Sequence, residues 1–213
     1  MKKSVGFLLL VFLFALLLMN GEALAFANGV GQVAPYAGVS YNTYAIDGSE
    51  WEPEDWDDFE LDDSVGSGVG FYAGANYWLA EDALSNLAVG GEFDWLGRAE
   101  LEDEDISAES TTFGLLATVS YDLSNELGDL PVDLYLSGAA GLYQANFDLE
   151  DPHESISEVY RGPGIKAGIQ TEYSVQENLD LGGRLHYRYA QPHSEGDLNY
   201  NGLEAGLQVG FSF

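Results

Sequence analysis

Charged residues recur at alternate positions along segments whose other positions are apolar. After residue 25 the cations are Arg98, Arg161, Lys166, Arg184 and Arg188. Arg98, Lys166, Arg184 and Arg188 share the polar phase of their segments with Glu92, Asp94, Glu172 and Glu204. The whole chain carries 36 Asp+Glu against 7 Lys+Arg, a formal net charge of −29. Charges gathered on one face must pair if that face is buried, because an unpaired buried ion costs several kcal/mol. These eight residues are therefore expected to form an interior ionic network. The alternative is scattered exposed pairs, each worth about 0 to 1 kcal/mol.

The acids cluster a second time, in four connections. Asp47 to Asp63 holds ten of them, Glu100 to Glu109 six and Asp148 to Glu158 five, and the last stretch holds Glu195 and Asp197. Such density concentrates cations, and hard divalent ions prefer carboxylate oxygens. Asp55, Asp57, Asp58, Asp62 and Asp63 are the candidate metal residues, but none falls in the Asp-x-Asp-x-Asp-Gly spacing of a calcium hand. A solvated, self-repelling surface explains the same acids. No cofactor is expected beyond loosely held Ca²⁺ or Mg²⁺. Trp51, Trp56 and Phe59 among the acids mark a contact surface or a packed loop. The negative balance disfavours nucleic acid as a partner.

The elements that must position these residues read at period two. Leu203, Ala205, Leu207, Val209, Phe211 and Phe213 alternate with Gly202, Glu204, Gly206, Gln208, Gly210 and Ser212. This run exceeds the common strand length of about 5 to 6 residues and suits a tilted strand across a bilayer, about 9 to 11 residues. Seven more strands follow the same rule, near 35–45, 65–79, 87–99, 111–122, 132–147, 164–175 and 179–190. The polar phase is rich in glycine, including Gly38, Gly70, Gly74, Gly114, Gly168 and Gly206, which suits a narrow interior. A soluble barrel with a ligand inside would instead carry Lys and Glu densely on its polar, water-facing side. On the apolar face Tyr77, Tyr121, Tyr173 and Phe213 mark one rim. Tyr41, Trp95, Phe113, Tyr187 and Tyr189 mark the other, as membrane-interface aromatics do.

Residues 1–25 read as a cleaved signal peptide. Lys2 and Lys3 precede an apolar run from Val5 to Leu18, and Ala23-Leu24-Ala25 offers a cleavage site. Residues 26–213 then form one domain. The absence of cysteine excludes a disulfide scaffold and a lipid-anchored cysteine.

This chain resembles the small eight-stranded outer-membrane β-barrel family that includes the outer-membrane protein A transmembrane domain. The resemblance covers residues 33 to 213 and is most specific in the ending Val209-Gly210-Phe211-Ser212-Phe213. It implies an all-β, antiparallel, up-and-down transmembrane barrel in the outer membrane of a Gram-negative envelope. It also implies that Phe211 and Phe213 signal to the barrel-assembly machinery. Outer-membrane lipid and lipopolysaccharide are the other expected partners, and a monomer is expected.

The expected role is structural and surface contact, with a core plugged by side chains. A narrow porin-like channel is the alternative. A lipid hydrolase is the third reading. His193-Ser194-Glu195 is faintly similar to the site of outer-membrane lipid A deacylases, but the surrounding motif departs from theirs. His153 stands in an acidic stretch, and His186 shares its face with Arg184 and Arg188, a poor setting for a general base. No catalysis is expected.

Overall fold

The computed structural model describes residues 33–48, 61–79, 84, 86–103, 106–127, 131–150, 155–191 and 199–211. The signal peptide, Asp55, Asp57, Asp58, His153, His193, Ser194 and Phe213 lie outside these residues. So do Trp51, Trp56 and Phe59.

Eight antiparallel strands close into one barrel in sequence order. They are β1 (Val33–Gly48), β2 (Leu61–Trp78), β3 (Leu87–Asp103), β4 (Ile106–Asp122), β5 (Asp133–Glu150), β6 (Ser155–Gln176), β7 (Leu179–Ala190) and β8 (Asn199–Gly210). Closure between β1 and β8 pairs Val39 with Leu207 and Ala37 with Val209. Closing the sheet removes both edges, so every strand has two partners. No helix among the described residues is long and apolar enough to cross a membrane. Ser124–Leu127 forms a single helical turn between β4 and β5.

The barrel is strongly sheared. Following the pairing round from Tyr36 leads through Gly74, Glu92, Leu116, Gly141, Gly164, Ala190 and Tyr200. It returns to β1 at Ile46, ten residues beyond Tyr36. A row of paired residues therefore climbs as it passes from β1 to β8. A strand tilt of about 40° accompanies such closure.

Period two sorts the side chains. Val39, Val69, Leu115, Leu142, Ile165 and Leu207 are exposed on the outward face, Leu115 at 72%. A ladder of rings runs across the outside of β2, β3 and β4. Phe71 lies 4.8 Å from Trp95, and Phe93 lies 6.1 Å from both Phe71 and Phe113. An exposed apolar band with ring clusters at its margin is the outer surface of a bilayer-spanning barrel.

The strands outrun the sequence expectation at the end away from Val33 and Phe211, here the long-strand end. β6 begins at Ser155, and the β3–β4 and β5–β6 hairpins leave only 104–105 and 151–154 between strands. Most of the acidic stretches expected as loops at 100–109 and 148–158 are therefore strand. Beyond the bilayer both faces of a strand meet water, so the apolar/polar contrast that marks a strand disappears while the pairing continues.

Candidate functional site

The barrel interior is filled in layers. Nearest the long-strand end, Phe147 packs against Tyr160 at 5.7 Å and Tyr200 at 6.1 Å. The Tyr200 hydroxyl meets Ser110 Oγ at 2.7 Å. At the end where Val33 and Phe211 lie, the Trp78 and Tyr135 rings are 5.5 Å apart. Charge occupies the middle.

Lys166 on β6 reaches across the lumen to Glu92 Oε1 at 2.5 Å and Asp94 Oδ2 at 2.9 Å, both on β3. It also contacts Glu204 Oε2 on β8 at 3.3 Å. Arg184 on β7 bridges the same two glutamates. Its Nη1 lies 2.6 Å from Glu92 Oε2, and its Nη2 pairs with Glu204 Oε1. Arg188 Nη1 stands 3.6 Å from Glu204 Oε2 and donates to Asn42 Oδ1 at 3.2 Å. All six charged residues are buried. Three carboxylates face three cations, so the cluster is formally neutral. Neutrality and mutual hydrogen bonding are what allow ions to remain in a space of low dielectric.

Tyrosines complete the shell. Tyr36 donates to Glu92 Oε2 at 2.8 Å, and Tyr143 donates to Asp94 Oδ2 at 3.4 Å. The Arg184 guanidinium carbon lies 3.0 Å from the Tyr72 ring centroid, a cation–π contact. These rings fit because glycine stands opposite them: Tyr36 pairs with Gly74, Tyr72 with Gly38 and Tyr143 with Gly114. The glycines stand out in the sequence, but their tyrosine partners do not. The signal for them is a large ring in the polar phase facing a glycine on the next strand.

Two expected members of the network stand elsewhere. Glu172 lies six residues from Lys166 on β6, about 20 Å along the strand. There it accepts bonds from Gln170 Nε2 at 2.8 Å and Gln208 Nε2 at 3.1 Å, in an amide layer below the charges. Arg98 is displaced by a bulge. Gly97 adopts φ 87°, and the register jumps from Trp95↔Phe113 to Arg98↔Thr111. One extra residue reverses the phase, so Arg98 takes an outward position in the sheet rather than the inward one that strict alternation implies. Its side chain lies outside the described residues.

His186 carries an unforeseen contact. Its Nε2 meets Ser137 Oγ at 2.6 Å, and its Nδ1 stands 3.8 Å from Glu204 Oε1. The order serine, histidine, carboxylate resembles a nucleophile and its base. Both Ser137 and His186 are buried. A cavity of about 20 Å³, room for roughly one water, lies at the Val33 and Phe211 end among Tyr36, Asn76, Trp78, Gln170 and Glu172. Neither Ser137 nor His186 lines it, so no space for a substrate adjoins the serine there.

Among the described residues no group of His, Asp and Glu is arranged to hold a metal ion. Asp62 and Asp63 belong to β2, with side chains outside the described residues. Phe211 closes the described end of the chain, its N–H donating to the Pro35 carbonyl at 2.9 Å.

A closed barrel with an apolar outside and a polar, tightly filled inside defines a transmembrane protein of the outer-membrane type. The chain belongs to the outer membrane protein β-barrel domain family, whose model matches residues 11–213. The fold is shared with Ail, the attachment invasion locus protein of Yersinia pestis, at a TM-score of 0.52 and 18% identity, covering 86% of this chain and 99% of that one. Neisserial surface protein A matches at a TM-score of 0.50 and 18% identity, covering 83% and 97%. A major outer membrane protein from Thermus thermophilus matches at 0.53 and 13%, covering 84% and 99%. No curated protein matches the sequence at a significant level.

Proposed function

We propose that this protein is a sealed structural barrel of the outer membrane that meets its surroundings through the acidic rim beyond the bilayer. The observation that carries the reading is the neutral cluster of Glu92, Asp94, Glu204, Lys166, Arg184 and Arg188 spanning the lumen. An eight-stranded barrel is just wide enough for side chains to fill, and these side chains cross it from β3 to β7. The role is envelope integrity and contact with cations, lipopolysaccharide or external partners. The end where Val33 and Phe211 lie faces the periplasm, the leader is removed on export, and Phe211 with Phe213 addresses the assembly machinery. The barrel works as a monomer without catalysis or a tightly held cofactor, and any Ca²⁺ or Mg²⁺ sits loosely on the acidic rim.

Planar-bilayer conductance of the refolded mature chain tests the seal. The unmodified protein is expected to stay silent. The Arg184→Gln/Glu204→Gln double variant is expected to leak. Stable channels in the unmodified protein would instead establish the porin-like alternative.

A further inference from the structure

We propose that the outer parts of β3, β4, β5 and β6 (98–103, 106–112, 145–150 and 155–161) form a hinged lid over the lumen, latched shut by Tyr200 of β8. The inference goes beyond the sealed reading above and concerns a second closure, outside the charge cluster.

The pairing sets these segments apart. β2 and β3 both continue outward, β2 paired with β1 as far as Gly48↔Leu61 and β3 paired with β4 as far as Asp103↔Ile106. Among the described residues, however, they pair with each other no farther out than Phe71↔Trp95. The far edge behaves alike. Pairing of β6 with β7 ends at Gly164↔Ala190, and one last bond runs from the Gln191 N–H to the Pro163 carbonyl at 2.9 Å. Proline brings no N–H with which to extend that ladder. Within the group the ladder continues, to Ser107↔Glu150 between β4 and β5 and to Glu150↔Ser155 between β5 and β6. Four strands therefore leave the barrel as one sheet, with both edges released among the described residues.

The release points share a level. Trp95, Phe113, Gln144 and Arg161 form one cross-strand row, and Gly97 and Pro163 each lie two residues from it. Both are places where a strand can bend. Gly97 is a bulge at φ 87°, and Pro163 stands between Gly162 and Gly164. A bulge bends its strand, and a few such residues suffice to absorb the change at a hinge. On the inner face of the sheet Ser110, Thr112, Ala145 and Phe147 are buried. This face rests on Tyr200. The Tyr200 ring lies 6.1 Å from Phe147, and its hydroxyl meets Ser110 Oγ at 2.7 Å. Two residues along β8, Gly202 pairs with Arg188, so Tyr200 stands over the charge cluster. An outward swing of the sheet lets water reach Arg188 from outside. Burial of the rings keeps the closed form dominant, with an open form at or below about 10%.

The test measures distances between spin labels on the refolded mature protein in bilayer discs. The chain has no cysteine of its own, so labels attach only where one is introduced. Val159→Cys with Tyr187→Cys spans the hinge from lid to barrel, and both positions are exposed. Leu115→Cys with Tyr187→Cys lies wholly below the hinge and serves as the control. The lid pair is expected to give one dominant distance when Tyr200 is present. Tyr200→Ala is expected to add a second distance as a major population. Tyr200→Phe keeps the ring, removes the bond to Ser110 and should raise the open fraction about tenfold. It also stands in if Tyr200→Ala does not fold. The control pair should stay unchanged in every variant, and the β4–β5 amides from Ser107 to Thr112 should stay protected from hydrogen exchange. A lid pair that keeps its single distance in the Tyr200 variants overturns the proposal. So does a control pair that changes in step with it, which would mean that the whole barrel loosens. Lost protection in β4–β5 would show strands melting rather than swinging and also overturn it. A protein that conducts but passes this test would refute the seal and leave the lid standing.

Discussion

Arg184 lies over the ring of Tyr72, its guanidinium carbon 3.0 Å from the centroid, while its edge grips Glu92 and Glu204. A planar cation can present its face to a ring and its edge to carboxylates at once. An ammonium cannot do both. Arg184→Gln leaves two buried carboxylates short of a partner and is expected to destabilise the barrel by about 3 to 5 kcal/mol. Arg184→Lys should fall between the two. Urea unfolding in micelles, followed by tryptophan fluorescence, measures the order. Equal stability of all three proteins would show that the cluster contributes nothing.

Tyrosine and glycine interlock on the inner wall. A Cβ at Gly38 would collide with the Tyr72 ring and the Leu207 carbonyl. One at Gly91 on the outward side would find its nearest atom, the Leu116 carbonyl, at 3.7 Å. Gly38→Ala is expected to cost about 1 to 3 kcal/mol, and Gly91→Ala within about 0.5 kcal/mol of nothing. The same unfolding assay compares them.

The bulge at Gly97 is a third point of control. Its φ of 87° and the nearby Val69 carbonyl both oppose a side chain. Gly97→Ala is expected to cost about 1 to 3 kcal/mol. Deleting Gly97 should be worse, because restored alternation would turn Arg98 inward as an unbalanced cation. Refolding yield, read as the mobility shift between heated and unheated samples, ranks the two variants.

The lipid-facing band can be mapped by charge. Leu115 is 72% exposed at mid-strand, while Leu127, 54% exposed, belongs to the helical turn between strands. Leu115→Arg is expected to cost about 2 to 4 kcal/mol and Leu127→Arg almost nothing. Similar costs at both sites, measured by unfolding in vesicles, would contradict the assigned boundary.

Strand number, phase and closure are legible because the bilayer imposes a strict contrast on every outward residue. Val69, Leu115 and Leu207 announce themselves. Where that contrast ends, the pattern ends too, and the outer portions of β3 to β6 read as loops. Lys166, Arg184, Arg188, Glu92, Asp94 and Glu204 can be grouped by phase alone. Which of them touch cannot, since contacts across the lumen depend on shear. Phase fails at Arg98, where a single left-handed glycine resets it. Glu172 shares the inward phase with Lys166 yet lies a layer away, because alternation specifies a face and not a height. Ser137 and His186 are 49 positions apart in the chain, and nothing local to either one predicts the bond between them.

Charge pairing across the lumen also bears on how the barrel is made. Glu92 and Asp94 enter with β3, but the cations that answer them arrive with β6 and β7. A barrel that closed without β6 and β7 would carry two anions into a dry space without counter-ions. Closure is therefore expected only once the later hairpins have joined. A chain cut between β5 and β6 should give halves that fail alone and recover the fold together.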